Sequence, residues 1–242
     1  MLINENIRPY LIINGVNSRN IQGLIISKLP PICKPPKRYR AEQIDGRDGE
    51  IITELGWSSY DKTFEIGLSY DYNVDDIIAF FNEGGEIIFS NEPDKKYNYQ
   101  LFKEINFEKL INFKKAKVTL RVEPFKFSDS ESERTFEGDP LSTVYIRNNG
   151  NIFSRPFITI TGVGECSLKL NNKKILDLDY GSSGGTFYID PVNMDALTED
   201  GYLANRQISG NYDNIRLKTG ENKISFTGTI TEFKIYNYSR WI

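Results

Sequence analysis

The rhythm of the chain breakers constrains this sequence most. In the second half, Asn149-Gly150, Asn171-Asn172, Gly181 to Gly185, Gly220 and Gly228 punctuate the chain, at a spacing of roughly ten residues that suits short strands and their turns. Between them lie apolar or alternating stretches at 144–148, 156–162, 166–170, 187–190, 208–210, 214–217, 222–227 and 229–236. Helices of ordinary length do not fit between breakers so close together, whereas strands do. The pattern predicts an all-β sandwich or jelly roll. Fifteen Phe and 14 Tyr in 242 residues point the same way, because aromatic side chains fit a pleated, half-buried surface.

The first half also reads as strands, with more interruption. Residues 10–13, then Asn14-Gly15, then Val16 predict a strand entering a type I′ turn, which needs two residues that tolerate positive φ. A second strand is expected at 21–27. Pro30, Pro31, Pro35 and Pro36 follow. They cannot donate to a ladder, so this stretch is an edge strand or an extended connector. Strands resume at 39–44, 50–55 and 62–70. In the last of these Phe64, Ile66 and Leu68 alternate with Glu65, Gly67 and Ser69, giving one buried and one wet face. One helix is expected at 74–82. Asn73 caps it, Asp75 and Asp76 suit its dipole, Ile77, Ile78 and Phe81 form its apolar face, and Gly84 and Gly85 end it. Further strands are expected at 86–90, 97–105 and 116–122.

Residues 128–140 hold five acids against one arginine. That composition predicts a solvated linker, which divides the chain into domains 1–127 and 141–242. The fold expectation is therefore mostly β: a β-sandwich-like first domain with one short helix, then a β-sandwich.

Composition closes several functional routes. The chain has no histidine, so a Ser-His-Asp triad, a Cys-His pair and an HExxH zinc site are excluded. A net charge of −3 argues against a general nucleic-acid binder, which needs a basic excess to displace counterions. Cys33 and Cys166 are too few for a metal cluster or a disulfide framework. They read as buried free thiols, and no cofactor or metal is expected. No run approaches the ~18 apolar residues of a membrane-spanning helix. The first ten residues carry Glu5 and Arg8 and lack the apolar stretch of a cleaved signal, so synthesis in the cytoplasm is expected.

The stretch Asp45-Gly46-Arg47-Asp48-Gly49 is the sharpest local motif. It could present charges to a ligand, or it could turn a hairpin. It does not fit a calcium loop, because Arg47 occupies a position that needs an oxygen ligand, and Asp-Gly is a common hairpin dipeptide. The turn is the better reading. Asp177 and Asp179, two apart on a presumed strand, read as a solvated edge and not as a glycosidase pair. Gly181 to Gly185 lacks the Gly-Lys-Ser/Thr ending of a phosphate loop and reads as a hairpin loop. Trp57 and Trp241 are the two tryptophans. Either could stack on a sugar ring, with Trp241 the candidate contact, although Ile235, Tyr236, Tyr238 and Trp241 together read more simply as a closing strand.

Taken in order, the motifs resemble a family. An N-terminal hairpin, Ile44-Asp45-Gly46-Arg47-Asp48-Gly49, an alternating strand, a short acidic-start helix and Val122-Glu123-Pro124-Phe125 are similar to the distal tail protein (Dit) of long-tailed phages. In the second half, Asn149-Gly150, Ser154-Arg155-Pro156-Phe157-Ile158-Thr159-Ile160, Ile189-Asp190, Leu217-x-x-Gly220-x-Asn222-x-Ile224, Gly228 and Arg240-Trp241 resemble that family's galectin-like C-terminal domain. The resemblance implies a structural protein of the virion tail tip, assembled in the host cytoplasm. It implies a homo-hexameric ring, formed through the first domain, that joins the tail tube to tail-tip or baseplate proteins. In that setting Asp45, Gly46, Arg47, Asp48 and Gly49 become a structural turn or a subunit contact. No catalytic residue, nucleic acid or membrane is implied. The alternative from another class is a carbohydrate-binding adhesin that acts through the C-terminal β-sandwich on host cell-wall polysaccharide, or alongside a receptor-binding protein. A carboxylate-only enzyme is the weakest alternative.

Overall fold

The computed structural model describes residues 8–81, 84–101 and 105–242. Two compact units divide the chain, one ending at Asp129 and the other running from Ser130 to Trp241. Strands dominate both.

In the first unit the strands are β1 (Leu11–Ile13), β2 (Val16–Asn17), β3 (Leu24–Lys28), β4 (Lys37–Gln43), β5 (Glu50–Trp57), β6 (Tyr60–Leu68), β7 (Gly85–Phe89), β8 (Lys95–Leu101) and β9 (Lys115–Ser128). One antiparallel sheet runs in the order β2-β1-β7-β8-β9-β6-β3. Leu11 near one edge and Ile26 at the other belong to the same buried cluster, so the sheet curls around a single core instead of stacking on a second sheet. The expected type I′ turn is present, with Asn14 at φ 48 and Gly15 at φ 82. Gly85 then lets the Asn14 side chain in: a Cβ there would lie 2.1 Å from Asn14 Oδ1, the atom that accepts from the Glu86 amide at 2.9 Å.

Helix α1 (Val74–Phe80) starts at Asn73, whose side chain accepts from the Asp75 amide. It buries Ile77 and Phe80, with Phe81 at its end, while Ile78 stays 40% exposed. The expected apolar face was therefore rotated by Ile78. The helix stops at Phe80, before the two glycines expected to end it, and Asn82 of the expected span lies outside the described residues. Helix α2 (Phe107–Phe113) was not expected. Asn106 caps it by accepting from the Lys109 amide, Leu110 is its buried anchor, and Lys114 leaves it at φ 55. Residues 102–104 of the expected strand at 97–105 also lie outside the described residues.

The second unit contains β10 (Arg134–Glu137), β11 (Thr143–Asn148), β12 (Phe157–Leu170), β13 (Lys173–Asp179), β14 (Gly185–Asp190), β15 (Asp195–Thr198), β16 (Ile208–Gly210) and β17 (Gly220–Tyr236). Its axis is the pair β12–β17. On one edge of β17 lie β11 and β10, placed end to end. On the far edge of β12 lie β13 and β14, also end to end. Register breaks fall at Thr161/Gly162 and between Val163 and Ser167, where both long strands bend. The two halves fold over one core that joins Ile146, Leu168 and Leu178 to Ile158, Ile189 and Phe233. This is how a handful of strands makes both faces of one hydrophobic layer.

Glycine makes the bend possible. Gly228 has φ +84, and a Cβ on it would sit 2.4 Å from the Glu165 carbonyl. Residues 156–162 and 166–170 are thus one strand with a bulge, as are 222–227 and 229–236, not four strands with turns between them. Gly181 to Gly185 is likewise no hairpin loop. It carries the chain from β13 to β14 along the same edge of β12. In place of a strand at 214–217 there is the end of a 3-10 turn at Tyr212–Asn214 and an isolated bridge of Leu217 to Ser154.

The stretch 128–140 differs from a free linker. Arg134–Glu137 pairs with β17, and Phe136 packs 6.3 Å from Phe233. Glu131 accepts from both the amide and the hydroxyl of Ser239 at 2.7 Å. Acid-rich composition suggested solvation, but the alternation inside it places one aromatic inward and one carboxylate on a chain turn. Of the two thiols, Cys166 is buried and Cys33 is exposed, because the proline segment that carries Cys33 lies on the surface.

A candidate self-assembly interface

β4 and β5 form a two-stranded sheet of their own, hydrogen-bonded to no third strand among the described residues. Gln43 pairs with Glu50, Ala41 with Ile52, Tyr39 with Glu54, and Lys37 with Trp57, with one irregularity beside Arg38. Side chains alternate across such a ribbon, so Tyr39, Ala41 and Ile52 share one face, while Ile51 and Leu55 lie on the other. Tyr39 is 63% exposed, Ile52 62%, Leu55 52% and Ile44 49%. Every residue of β4 is exposed, as are all of β5 except the half-buried Trp57. A hairpin with both faces and both edges open is marginal in water on its own, and open edges are templates for pairing with another chain.

The base of the hairpin is firmly held. Ser58 donates its amide to the Pro36 carbonyl at 2.9 Å, and the Trp57 ring meets Phe125 edge-on at 6.5 Å. Lys34 and Lys37 lie 5.5 and 5.4 Å from the Trp57 ring centre, so this half-buried indole packs at the hairpin root. The proline segment ahead of it is strapped down by a buried cation. Lys62, 3% exposed, donates to the Pro31 carbonyl at 3.0 Å, and Asn91 donates to the Pro30 carbonyl at 3.2 Å. The Lys62 ammonium also lies 4.8 Å from the Tyr97 ring centre. Burial holds its pKa below the usual lysine value, with nearby Glu92 opposing that shift. Glu92 in turn pairs with Lys126 at 2.7 Å and accepts from the Tyr97 hydroxyl. Burial first, and then that hydrogen bond to Glu92, push the Tyr97 pKa up; burial pushes Tyr60 up to about 12. A rigid root therefore carries an uncovered ribbon.

The sequence motif sits at the far end of this ribbon. The Arg47 amide donates to the Ile44 carbonyl at 3.1 Å, closing a turn over Asp45 and Gly46, with Gly46 at φ +78 and Gly49 at φ +81. Asp45, Gly46, Arg47, Asp48 and Gly49 are all exposed. Among the described residues Asp45, Arg47 and Asp48 make no ion pair. The structure brings these five residues together at one tip. Trp241 lies elsewhere, partly exposed in the second unit. Asp177 and Asp179 do not lie on a strand edge as expected, since β13 pairs with β12 on one side and β16 on the other; their side chains are instead spent locally, Asp177 pairing with Lys174 at 2.6 Å and Asp179 accepting from the Gly181 amide. Sequence reasoning found the tip and missed the two uncovered faces behind it. The available signal was Ile51-Ile52: adjacent strand residues point to opposite faces, so a ribbon with no cover carries apolar side chains on both.

No family model matches the chain, and no curated protein matches it. Among solved structures it is similar to the crystal structure of the SPP1 Dit protein, described as a paradigm of the hub adsorption apparatus in Gram-positive infecting phages. The TM-score is 0.68 at 17% identity, covering 94% of this chain and 98% of that one. A second structure, the phage P2 baseplate in its activated conformation with Ca, gives a TM-score of 0.44 at 11% identity, over 95% of this chain and 97% of that one. That second likeness is too low to argue from. The chain has a mostly-β, Dit-like fold along nearly its whole length.

Proposed function

We propose that this chain is a structural protein of a phage tail tip, assembling through its first unit into a closed ring that joins the tail tube to the tip or baseplate. The observation that carries this reading is the β4–β5 hairpin, rigid at its root and uncovered on both faces and both edges. A surface of that kind is complete only when another chain covers it. The Dit-like fold supports the choice of a second copy as that chain. The hairpin of one copy then lies against a different surface of the next. Such a head-to-tail contact repeats from copy to copy and closes when its rotation divides a full turn. Six copies is the number proposed. The second unit is proposed to be galectin-like, a description of fold that implies no sugar site by itself. No residue is assigned a catalytic role.

Light scattering on the purified protein tests the reading. The expected mass is a fixed multiple of 27.8 kDa, and the double variant Tyr39→Asp, Ile52→Asp is expected to run as a single copy with its fold intact. A strict monomer at high concentration and physiological salt would overturn the ring. Charge reversal at the tip, Arg47→Glu, separates two roles for the motif: ring loss without unfolding assigns it a contact with the neighbouring copy, and an unchanged ring leaves it a turn.

A further inference from the structure

The second unit carries a groove whose chemistry the assembly reading does not use. It has a volume of about 520 Å³ and lies beside Phe153, Ile175, Asn214, Lys173, Arg216 and Lys218. Its floor is apolar: Leu170 and Ile175 reach it from the core, 6% and 5% exposed. Its walls are amides and its rim is cationic.

The rim is held in place from inside. Asn222, with no exposed surface, accepts from the Lys218 amide at 2.9 Å and donates to the Lys218 carbonyl at 2.7 Å. Asn171 bonds the Asn222 side chain at 3.0 Å and the Lys223 amide at 3.0 Å. Buried Asn148 donates to the Leu217 carbonyl at 3.1 Å. Three asparagines thus spend their hydrogen bonds on fixing the 217–223 turn, a large investment for a surface loop.

Charge around the groove is one-sided. Asp213 is its one carboxylate, already shared between Arg155 at 2.7 Å and Arg216 at 3.1 Å. Those two guanidinium groups hold its carboxyl below the usual range, the Arg216 hydrogen bond contributing most. Arg216 and Arg240 also lie over the Phe153 ring, at 4.8 and 4.6 Å. Burial chiefly, and then the proximity of Arg155 and Arg216, lower the Arg240 pKa to about 10. Among the described residues Lys173 and Lys218 make no ion pair, and the Asn214 side chain makes no hydrogen bond. In a chain of net charge −3, this is a local positive site with free donors.

We propose that this groove binds an anionic saccharide, with a phosphate or carboxylate at the Lys173–Lys218 rim, hydroxyls on the asparagine amides and the apolar sugar face over Leu170 and Ile175. The volume exceeds what a bare phosphate needs, and an apolar floor with amide walls suits a ring bearing hydroxyls. A purely ionic partner would use neither. The inference does not rest on ring assembly, and its failure would leave that reading untouched.

Saturation-transfer NMR and calorimetry on the full chain test it, with glucose 1-phosphate and glucuronate as probes and glucose and inorganic phosphate as controls. Both acidic sugars are expected to bind, glucose and phosphate more weakly than either. The rim is exposed, so Lys173→Glu, Lys218→Glu keeps the fold and is expected to weaken binding about tenfold, as the loss of two exposed ion pairs implies. Asn214→Ala is expected to weaken the sugars and leave phosphate unchanged. Binding of neither acidic sugar, binding unaltered in the double lysine variant, or phosphate bound as tightly as glucose 1-phosphate each overturns the proposal. So does capture of an acidic protein by this rim when the sugars do not bind.

Discussion

Two antiparallel strand pairs in this molecule show what β structure does when it is covered and when it is not. β12–β17 has neighbours on both edges and one face in a core. Along it Ile158, Ile160, Phe233 and Ile235 are at most 1% exposed. β4–β5 is also an antiparallel ladder, though shorter and richer in charged residues such as Lys37, Arg38, Arg40, Glu42, Glu50 and Glu54, and in it Tyr39 and Ile52 stand more than 60% exposed. Both pairs form strands, so the difference that matters is what packs against them: a core and two flanking strand sets for one, solvent for the other. The covered pair provides the core; the uncovered pair leaves apolar side chains open, and it is on these that the proposed assembly rests. Apolar residues in strands are therefore informative about assembly only once it is known which of them the monomer leaves open.

The comparison breaks first at Phe233. Phe233→Ala removes a fully buried ring from the bent pair and is expected to cost about 3–5 kcal/mol, read as a lower urea midpoint for the second unit. Ile52→Asp, measured in the dissociated protein, is expected to stay within about 0.5 kcal/mol of the parent. A hairpin variant that destabilises as much as the core variant would mean that the monomer already covers the ribbon.

Glycine sharpens the contrast at smaller magnitude. Gly228 and Gly46 both have positive φ, but an added Cβ at Gly228 meets the Glu165 carbonyl while one at Gly46 meets nothing within 4 Å. Gly228→Ala is expected to cost about 3 kcal/mol or more, strain and clash together. Gly46→Ala is expected to cost about 1 kcal/mol, strain alone. Equal losses in chemical denaturation would sink the distinction between a packed bulge and an open turn.

The smallest effect concerns the root of the hairpin. Tyr97 has a pKa raised above its ordinary value of 10.0. Its contribution is intact below pH 10 and is lost as pH climbs beyond, because the unfolded chain releases the proton first. Tyr97→Phe is expected to flatten that alkaline decline in the first unit, visible in thermal melts above pH 10. A decline of unchanged slope would show that Tyr97 does not titrate in this way.

Much of this was legible in the residues. Asn14-Gly15 marked its turn because two adjacent positive-φ positions have few other uses. Phe64, Ile66 and Leu68 announced a buried face, and Asp45 to Gly49 announced a tip. Other features shared their signals with something else. Gly228 needs the same backbone freedom in a bulge as in a turn, so the sequence could not separate one bent strand from two. Arg134–Glu137 was hidden by acids whose partners, Ser239 and β17, lie about a hundred residues away in the chain. α2 has seven residues, too short for its period to show beside the strands. The exposure of the hairpin depended on what the rest of the unit fails to reach, which is a tertiary fact; Ile51-Ile52 was its one local trace.

Hydrogen exchange across residues 37–57 tests the central claim most directly, comparing the assembled protein with the dissociated Tyr39→Asp, Ile52→Asp variant. The account predicts that the outer-edge amides of β4 and β5 exchange within seconds in the variant and are protected on assembly, while β12 and β17 are protected in both. Equal protection of the hairpin in the two states, or none in the assembly, would contradict it.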